Sequence, residues 1–126
     1  MAFDLVIEID NAPGALARVA AAVSDAGVNL AAAVCVGAGE RVELHILVPH
    51  ARAARHLLAI SHLAVTRERE VAVVDVEDRP GVLADLTRKI ARAGVDLDLV
   101  YVATRNRIVF GAADLGTLQA ALGDAR

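Results

Sequence analysis

Two short stretches hold the residues best suited to capture a small charged molecule. Asn11-Ala12-Pro13-Gly14 and Asp78-Arg79-Pro80-Gly81 each set a side-chain oxygen two residues ahead of a Pro-Gly pair. Such an oxygen accepts hydrogen bonds from an ammonium group. Glycine has no Cβ, so a ligand can approach the backbone closely at Gly14 or Gly81. Proline suits the first turn of a helix, and the N–H groups of a helix start attract a carboxylate. The chemistry on offer is non-covalent capture of a molecule bearing both an ammonium and a carboxylate. A second polar position follows each loop: Asn29 in Gly27-Val28-Asn29-Leu30, and Asp96 in Gly94-Val95-Asp96-Leu97. A carboxylate at 78 holds an ammonium but repels a ligand carboxylate.

Simpler roles compete for the same residues. Asn11 and Asp78 also serve as helix caps, and Asn29 and Asp96 as turn residues after a glycine. Other chemistries find no support. There is no nucleophile with a base, no Ser/His/Asp set and no convincing Gly-rich nucleotide motif, so an enzyme is not expected. Of His45, His50, His56 and His62, the last three are six apart and share no helical face. No metal and no cofactor are expected. Thirteen Lys and Arg are scattered among sixteen Asp and Glu, and aromatics are only 2%. That leaves neither a basic stripe for phosphates nor a stacking surface for bases, so nucleic acid is not an expected partner.

Cys35 is the single cysteine and cannot form an intramolecular disulfide, which fits a reducing cytoplasm. It is expected to be a small core residue. Met1-Ala2-Phe3-Asp4 lacks the start of a signal peptide, and the apolar runs fall short of the ~20 residues of a membrane span. A cytoplasmic protein without membrane contact is the expectation.

The elements that must position these residues come as an internal repeat. The Pro-Gly pairs, the Ala-Gly-Val-(Asn/Asp)-Leu blocks and Val6-Ile7-Glu8-Ile9-Asp10 against Val73-Val74-Asp75-Val76-Glu77 all recur 67 residues apart, as Gly14 and Gly81 do. Leu5 to Ile9 and Val71 to Val76 read as strands. Leu16, Val19, Ala20 and Val23, and then Leu83, Leu86 and Ile90, read as the apolar stripes of helices facing a core. Gly27 and Gly94 sit where a helix C-terminus accepts positive φ. Second strands are expected at about Asn29 to Val36 and Asp96 to Ala103, with hairpin turns at Gly37-Ala38-Gly39 and at Arg105-Asn106.

Val42, Leu44, Ile46 and Val48 form one face of a third strand, with Glu43 and His45 on the other. Ile108, Phe110 and Ala112 are its counterpart, one residue earlier than the repeat spacing. Helices follow at about Ala51 to Ile60 and Leu115 to Leu122, the latter capped by Asp114. The first copy has a candidate fourth strand at about Leu63 to Arg67, and Arg67-Glu68-Arg69-Glu70 reads as a short solvated linker or an exposed strand end. The second copy ends at Gly123-Asp-Ala-Arg without room for a last strand. The predicted organisation is α+β: two βαββαβ modules in tandem, residues 1–68 and 69–126, the second without a clear last strand.

The strand–(Asn/Asp)-x-Pro-Gly-x-Leu–helix–Gly-Val-(Asn/Asp)-Leu–strand pattern, present twice over about residues 4–122, resembles the ACT domain family of amino-acid-binding regulatory modules. The resemblance implies ferredoxin-like modules with helices on one sheet face and sheets paired edge to edge. It also implies a ligand site at the interface of the two modules, where the loop after a first strand meets the other module.

Carried over residue by residue, the primary site comprises Asp10, Asn11, Ala12, Pro13, Gly14, Ala15, Leu16, Asn29 and Leu30. Tyr101 and Val102, with Ala103 beside them, supply the facing wall, Tyr101 adding one polar group to an apolar pocket. The weaker site comprises Asp78, Arg79, Pro80, Gly81, Val82, Leu83 and Asp96, faced by Val34, Cys35 and Val36. Serine-binding members carry a histidine at the position of Ile9, a departure that argues against serine here. The function implied is a non-catalytic allosteric sensor of a free amino acid, acting as a homodimer on a regulated enzyme or transporter. The alternative is a ligand-free interaction module of the same fold.

Overall fold

Alternation of side chains turns Ala2–Asp10 into a nine-residue strand, β1, whose Leu5, Ile7 and Ile9 enter a core and are at most 6% exposed. The computed structural model describes residues 2–37 and 39–123. Met1, Ala38 of the expected Gly37-Ala38-Gly39 turn and residues 124–126 of the expected C-terminal end lie outside the described residues.

After β1 come α1 (Ala15–Asp25), β2 (Ala33–Val36), β3 (Arg41–Val48) and α2 (Ala51–Ile60). The same order follows in β4 (Arg67–Asp75), α3 (Val82–Arg92), β5 (Leu99–Ala103), β6 (Arg107–Gly111) and α4 (Leu115–Leu122). The protein is α+β, with a ferredoxin-like element order.

The chain divides into two compact units, one of Ala2–Arg69 and one beginning at Glu70. In the first, β3 lies antiparallel between β1 and β2, with Ile7 opposite Leu44 and Cys35 opposite Leu44 from the other side. Leu5, Ile7, Ile9, Leu44, Ile46 and Val48 form a sheet face, onto which Val23 of α1 and Ala51, Ala54 and Leu58 of α2 pack. In the second, β6 is antiparallel to both β4 and β5, with Val74 opposite Ile108 and Tyr101 opposite Val109. Phe110, Ile108, Ala72 and Val74 meet Leu86 and Ile90 of α3 and Leu118 and Leu122 of α4. Ala, Val, Leu and Ile fill most of both cores, and Phe110 is fully buried in the second.

The helix ends repeat as faithfully as the sequence does. Gly27 and Gly94 both take φ near 76°. Gly27 N–H reaches the Ser24 carbonyl and Val28 N–H the Val23 carbonyl, at 3.0 and 3.3 Å. Gly94 and Val95 make the same pair of bonds to Ala91 and Ile90, at 2.9 and 3.4 Å. This double closure satisfies the last carbonyls of α1 and α3, and only a residue free to adopt positive φ completes it without strain. The expected turn at Arg105-Asn106 is present, with both residues at positive φ (63° and 54°).

Several expectations need correction. The strands expected from Asn29 and Asp96 begin only at Ala33 and Leu99; ahead of them, the Ala32 carbonyl accepts from Leu47 N–H at 3.2 Å and Asp98 N–H donates to the Gly111 carbonyl at 3.0 Å. No separate fourth strand occupies Leu63 to Arg67. Thr66 does meet β1, its N–H and hydroxyl both donating to the Val6 carbonyl at 2.8 and 3.2 Å, and Leu63 and Val65 pack on the first core. The strand itself starts at Arg67 and continues to Asp75, so of the two readings of Arg67-Glu68-Arg69-Glu70 the strand end is the one observed. Its charges do not prevent this, because Arg67 pairs with Glu43 at 2.7 Å and Glu68 with Arg55 at 2.9 Å. Cys35 is exposed, not core, since β2 has no neighbour beyond β3 in its unit. Leu16 and Leu83, expected on core-facing stripes, are 45% and 43% exposed at the outset of their helices.

Candidate functional site

The first Pro-Gly loop links β1 to α1. Gly14, at φ 82°, occupies the cap position of α1, and no side chain caps the helix. Gly81 does the same for α3 at φ 88°. The expected capping roles of Asn11 and Asp78 are therefore corrected: the Pro-Gly pair places both residues too far ahead of the helix.

Asn11 is engaged elsewhere. Its backbone N–H reaches the Glu40 carbonyl at 2.9 Å, and its side-chain Nδ2 donates to the Gly39 carbonyl at 2.8 Å. Both acceptors belong to the turn between β2 and β3. Arg41, next in line, pairs with Glu8 at 3.5 Å and Asp10 at 3.6 Å. Among the described residues nothing donates to Asn11 Oδ1. Arg18 makes the first bond of α1, to the Gly14 carbonyl at 3.0 Å, so the N–H groups of Leu16 and Ala17 precede the helical ladder. A Cβ on Gly14 would lie 3.5 Å from Nη1 of Arg18, which sets a guanidinium beside the open backbone. An amide oxygen, a glycine backbone and a cation thus surround one exposed loop. That set matches an ammonium at one end and a carboxylate at the other.

The second loop has the opposite charge arrangement. Asp85 stands where the repeat puts Arg18 in the first copy. Arg79 donates to Asp85 at 2.9 Å and to the Pro80 carbonyl at 3.2 Å, and Arg88 holds the other Asp85 oxygen at 2.6 Å. The Arg79 hydrogen bond, with the charges of Arg79 and Arg88 behind it, holds the Asp85 carboxyl below its usual range. Glu77 lies 3.8 Å from Arg79, and Asp78 is exposed. This loop already holds a cation and a carboxylate of its own.

The remaining predicted residues are more dispersed. Asp10 and residues 11–14 are exposed, while Ala15 is buried. Asn29 and Leu30 are exposed beyond the C-terminus of α1. Eleven residues of helix separate them from the loop, a span of roughly 16 Å. One module does not bring Asn11 and Asn29 together. Tyr101 is buried opposite Val109, whereas Val102 is 71% exposed opposite Ile108. Neighbouring strand residues point to opposite faces, so these two cannot line one wall. Val34 and Cys35, opposite His45 and Leu44, are split in the same way.

One polar cluster went unread in the sequence. Asp4, 1% exposed, is hydrogen-bonded to Nδ1 of His45 at 2.8 Å, and His45 Nε2 lies 3.6 Å from Glu43, itself paired with Arg67. The signal was the position of Asp4 and His45 on the same off-core face of adjacent strands, out of phase with Leu5 and Leu44. Among the described residues no group of three or more His, Cys, Asp or Glu could hold a metal ion. None of the described helices is long and apolar enough to cross a membrane.

The ACT domain family model matches residues 71–122. No curated protein matches the sequence. Among solved structures, the chain resembles protein BT0572 of Bacteroides thetaiotaomicron, at a TM-score of 0.83 and 22% identity over 97% of this chain and 86% of that one. It also resembles the regulatory subunit of aspartate kinase from Thermus thermophilus, at a TM-score of 0.65 and 20% identity over 98% and 91% of the two chains. The corresponding Thermus flavus subunit gives 0.60 and 19% over the same shares. At these identities the likeness is one of fold.

Proposed function

We propose, from the match of residues 71–122 to the ACT domain family model, that the chain is a non-catalytic regulator built from two ACT modules, the first of which binds a free amino acid. The observation that carries the reading is the first Pro-Gly loop. There the Asn11 Oδ1, the Gly14 backbone and the Arg18 guanidinium stand open around one exposed turn. Asn11 accepts from the ligand ammonium, and the helix start with Arg18 receives the carboxylate. Because Asn29 lies at the far end of α1, a second module must complete the pocket.

Regulation then follows by population shift. A ligand that favours one arrangement of modules exposes or hides a surface for a partner, and one that binds both arrangements equally changes nothing. The partner is an enzyme or transporter of amino-acid metabolism, in line with the regulatory subunits that share the fold. The active form is a homodimer, for which β2, paired only with β3 in its unit, offers an open edge. Sedimentation equilibrium reading a monomer at micromolar concentration would remove this part.

Calorimetric titration with each of the twenty L-amino acids tests the central claim. At least one should bind, and Asn11→Ala should weaken it tenfold or more, about 1.4 kcal/mol. A wild-type chain that binds none is not a sensor. The second module fits the alternative of a ligand-free interaction unit, because the Arg79–Asp85 pair closes its loop from within.

A further inference from the structure

We infer that Asn11 is a positioning residue: its Nδ2 bond to the Gly39 carbonyl ties the first Pro-Gly loop to the β2–β3 turn and leaves only Oδ1 to face a ligand. The inference deepens the sensor reading and rests on it for the ligand alone.

Two bonds from one residue reach two successive residues of the turn, Nδ2 to Gly39 at 2.8 Å and N–H to Glu40 at 2.9 Å. A carbonyl acceptor takes the nitrogen end of an amide, since the reverse orientation would set two oxygens against each other. The end that remains is an acceptor. The first loop therefore selects a donor, such as an ammonium, and discriminates against a carboxylate at this point. A charged donor on Oδ1 polarises the amide and strengthens the bond that Nδ2 gives to Gly39. Occupation of the loop is thus felt at the turn, and through it at β2.

The second module lacks the device. The Asp78 side chain has no N–H to give, and the loop there is joined to its hairpin by the backbone of Val76, donating to the Asn106 carbonyl at 2.8 Å. The side-chain tie distinguishes the two copies.

The test compares the full chain with Asn11→Asp, which keeps an acceptor but loses the donor, and with Asn11→Ala, which loses both. Without ligand, hydrogen exchange read as a protection factor at the residue 11 amide should fall roughly fivefold in both variants, the loss of one modest hydrogen bond. The Gly27 and Gly94 amides should not change. Equal protection at residue 11 in all three proteins would overturn the tie. With the twenty L-amino acids and their N-acetyl derivatives as probes, the wild type should bind a free form and reject its acetylated one. Asn11→Asp should hold that free form within tenfold while its residue 11 amide no longer gains protection on binding. An acetylated form bound as well as the free one would overturn the orientation. If the wild type binds no amino acid, the sensor reading fails, the donor-selecting role of Oδ1 fails with it, and the tie is judged on the ligand-free protection factors.

Discussion

Asp114 shows what one side chain does at a helix start, and Asn11 shows what it does not do. Asp114 takes the Thr117 N–H at 3.1 Å and the Thr117 hydroxyl at 2.6 Å, as its place ahead of an apolar helix predicts. The hydroxyl, then the backbone N–H, hold its carboxyl below the usual carboxylate range. A depressed folded value means that the contribution is present above the unfolded pKa and lost as pH falls through the folded one. Thermal melts at pH 6 and pH 3 should therefore show a larger acid loss for the wild type than for Asp114→Asn, which caps without titrating. Equal losses would show that this carboxylate contributes nothing to the acid transition. His45 bears on stability from within. His45→Phe deprives the buried Asp4 carboxylate of its imidazole partner, and urea unfolding should record a loss on the order of 2 kcal/mol. Asn11 looked like a cap in the sequence because residue type alone does not show distance to the helix. A Pro-Gly pair intervenes, and Gly14 takes the capping place.

Among the elements, those with a strong local signal were legible. Ala51–Ile60 and Leu115–Leu122 stand where the helical spacing put them, and the Gly27 and Gly94 closures could be read from one repeated block. A Cβ at Gly94 meets nothing within 4 Å, so only its φ of 76° opposes substitution. Gly94→Ala should cost about 1 kcal/mol in chemical unfolding, and Gly94→Asn, which tolerates this region better, should cost less. The two variants unfolding alike would show that backbone strain is not the determinant. Strand limits were less legible because they depend on partners distant in sequence. Leu99 begins β5 where it meets Gly111, and Arg67 can begin a strand because Glu43 and Arg55 lie in reach of the segment. The site shows the same division. Asn11, Gly14 and their Asp78 and Gly81 counterparts were visible as a repeated motif, whereas the bond to Gly39, the Arg18 cation and the Arg79–Asp85 pair required the fold.

At the scale of the whole molecule the chain holds two compact units with separate cores and unequal loops. Neither core shares a residue with the other. Truncation of a fully buried side chain such as Leu58 should cost about 2–5 kcal/mol in equilibrium unfolding through the cavity it leaves. The inequality of the loops bears on stoichiometry. The first loop pairs the neutral Asn11 with the cation Arg18, while the second surrounds Arg79 with Glu77, Asp78 and Asp85. A ligand carboxylate entering the second loop meets three carboxylates and a guanidinium already hydrogen-bonded to one of them. Surface ion pairs are individually weak, so it is the excess of like charge, more than the Arg79–Asp85 bond, that should exclude the ligand. Titration calorimetry should then give one amino acid per chain. Replacing Asp78 and Asp96 together by Asn, with Asp85→Arg to restore the cation of the first copy, should raise that number toward two. A wild-type stoichiometry of two would show that both loops bind despite their charge, and that the difference between the copies lies in affinity or selectivity instead.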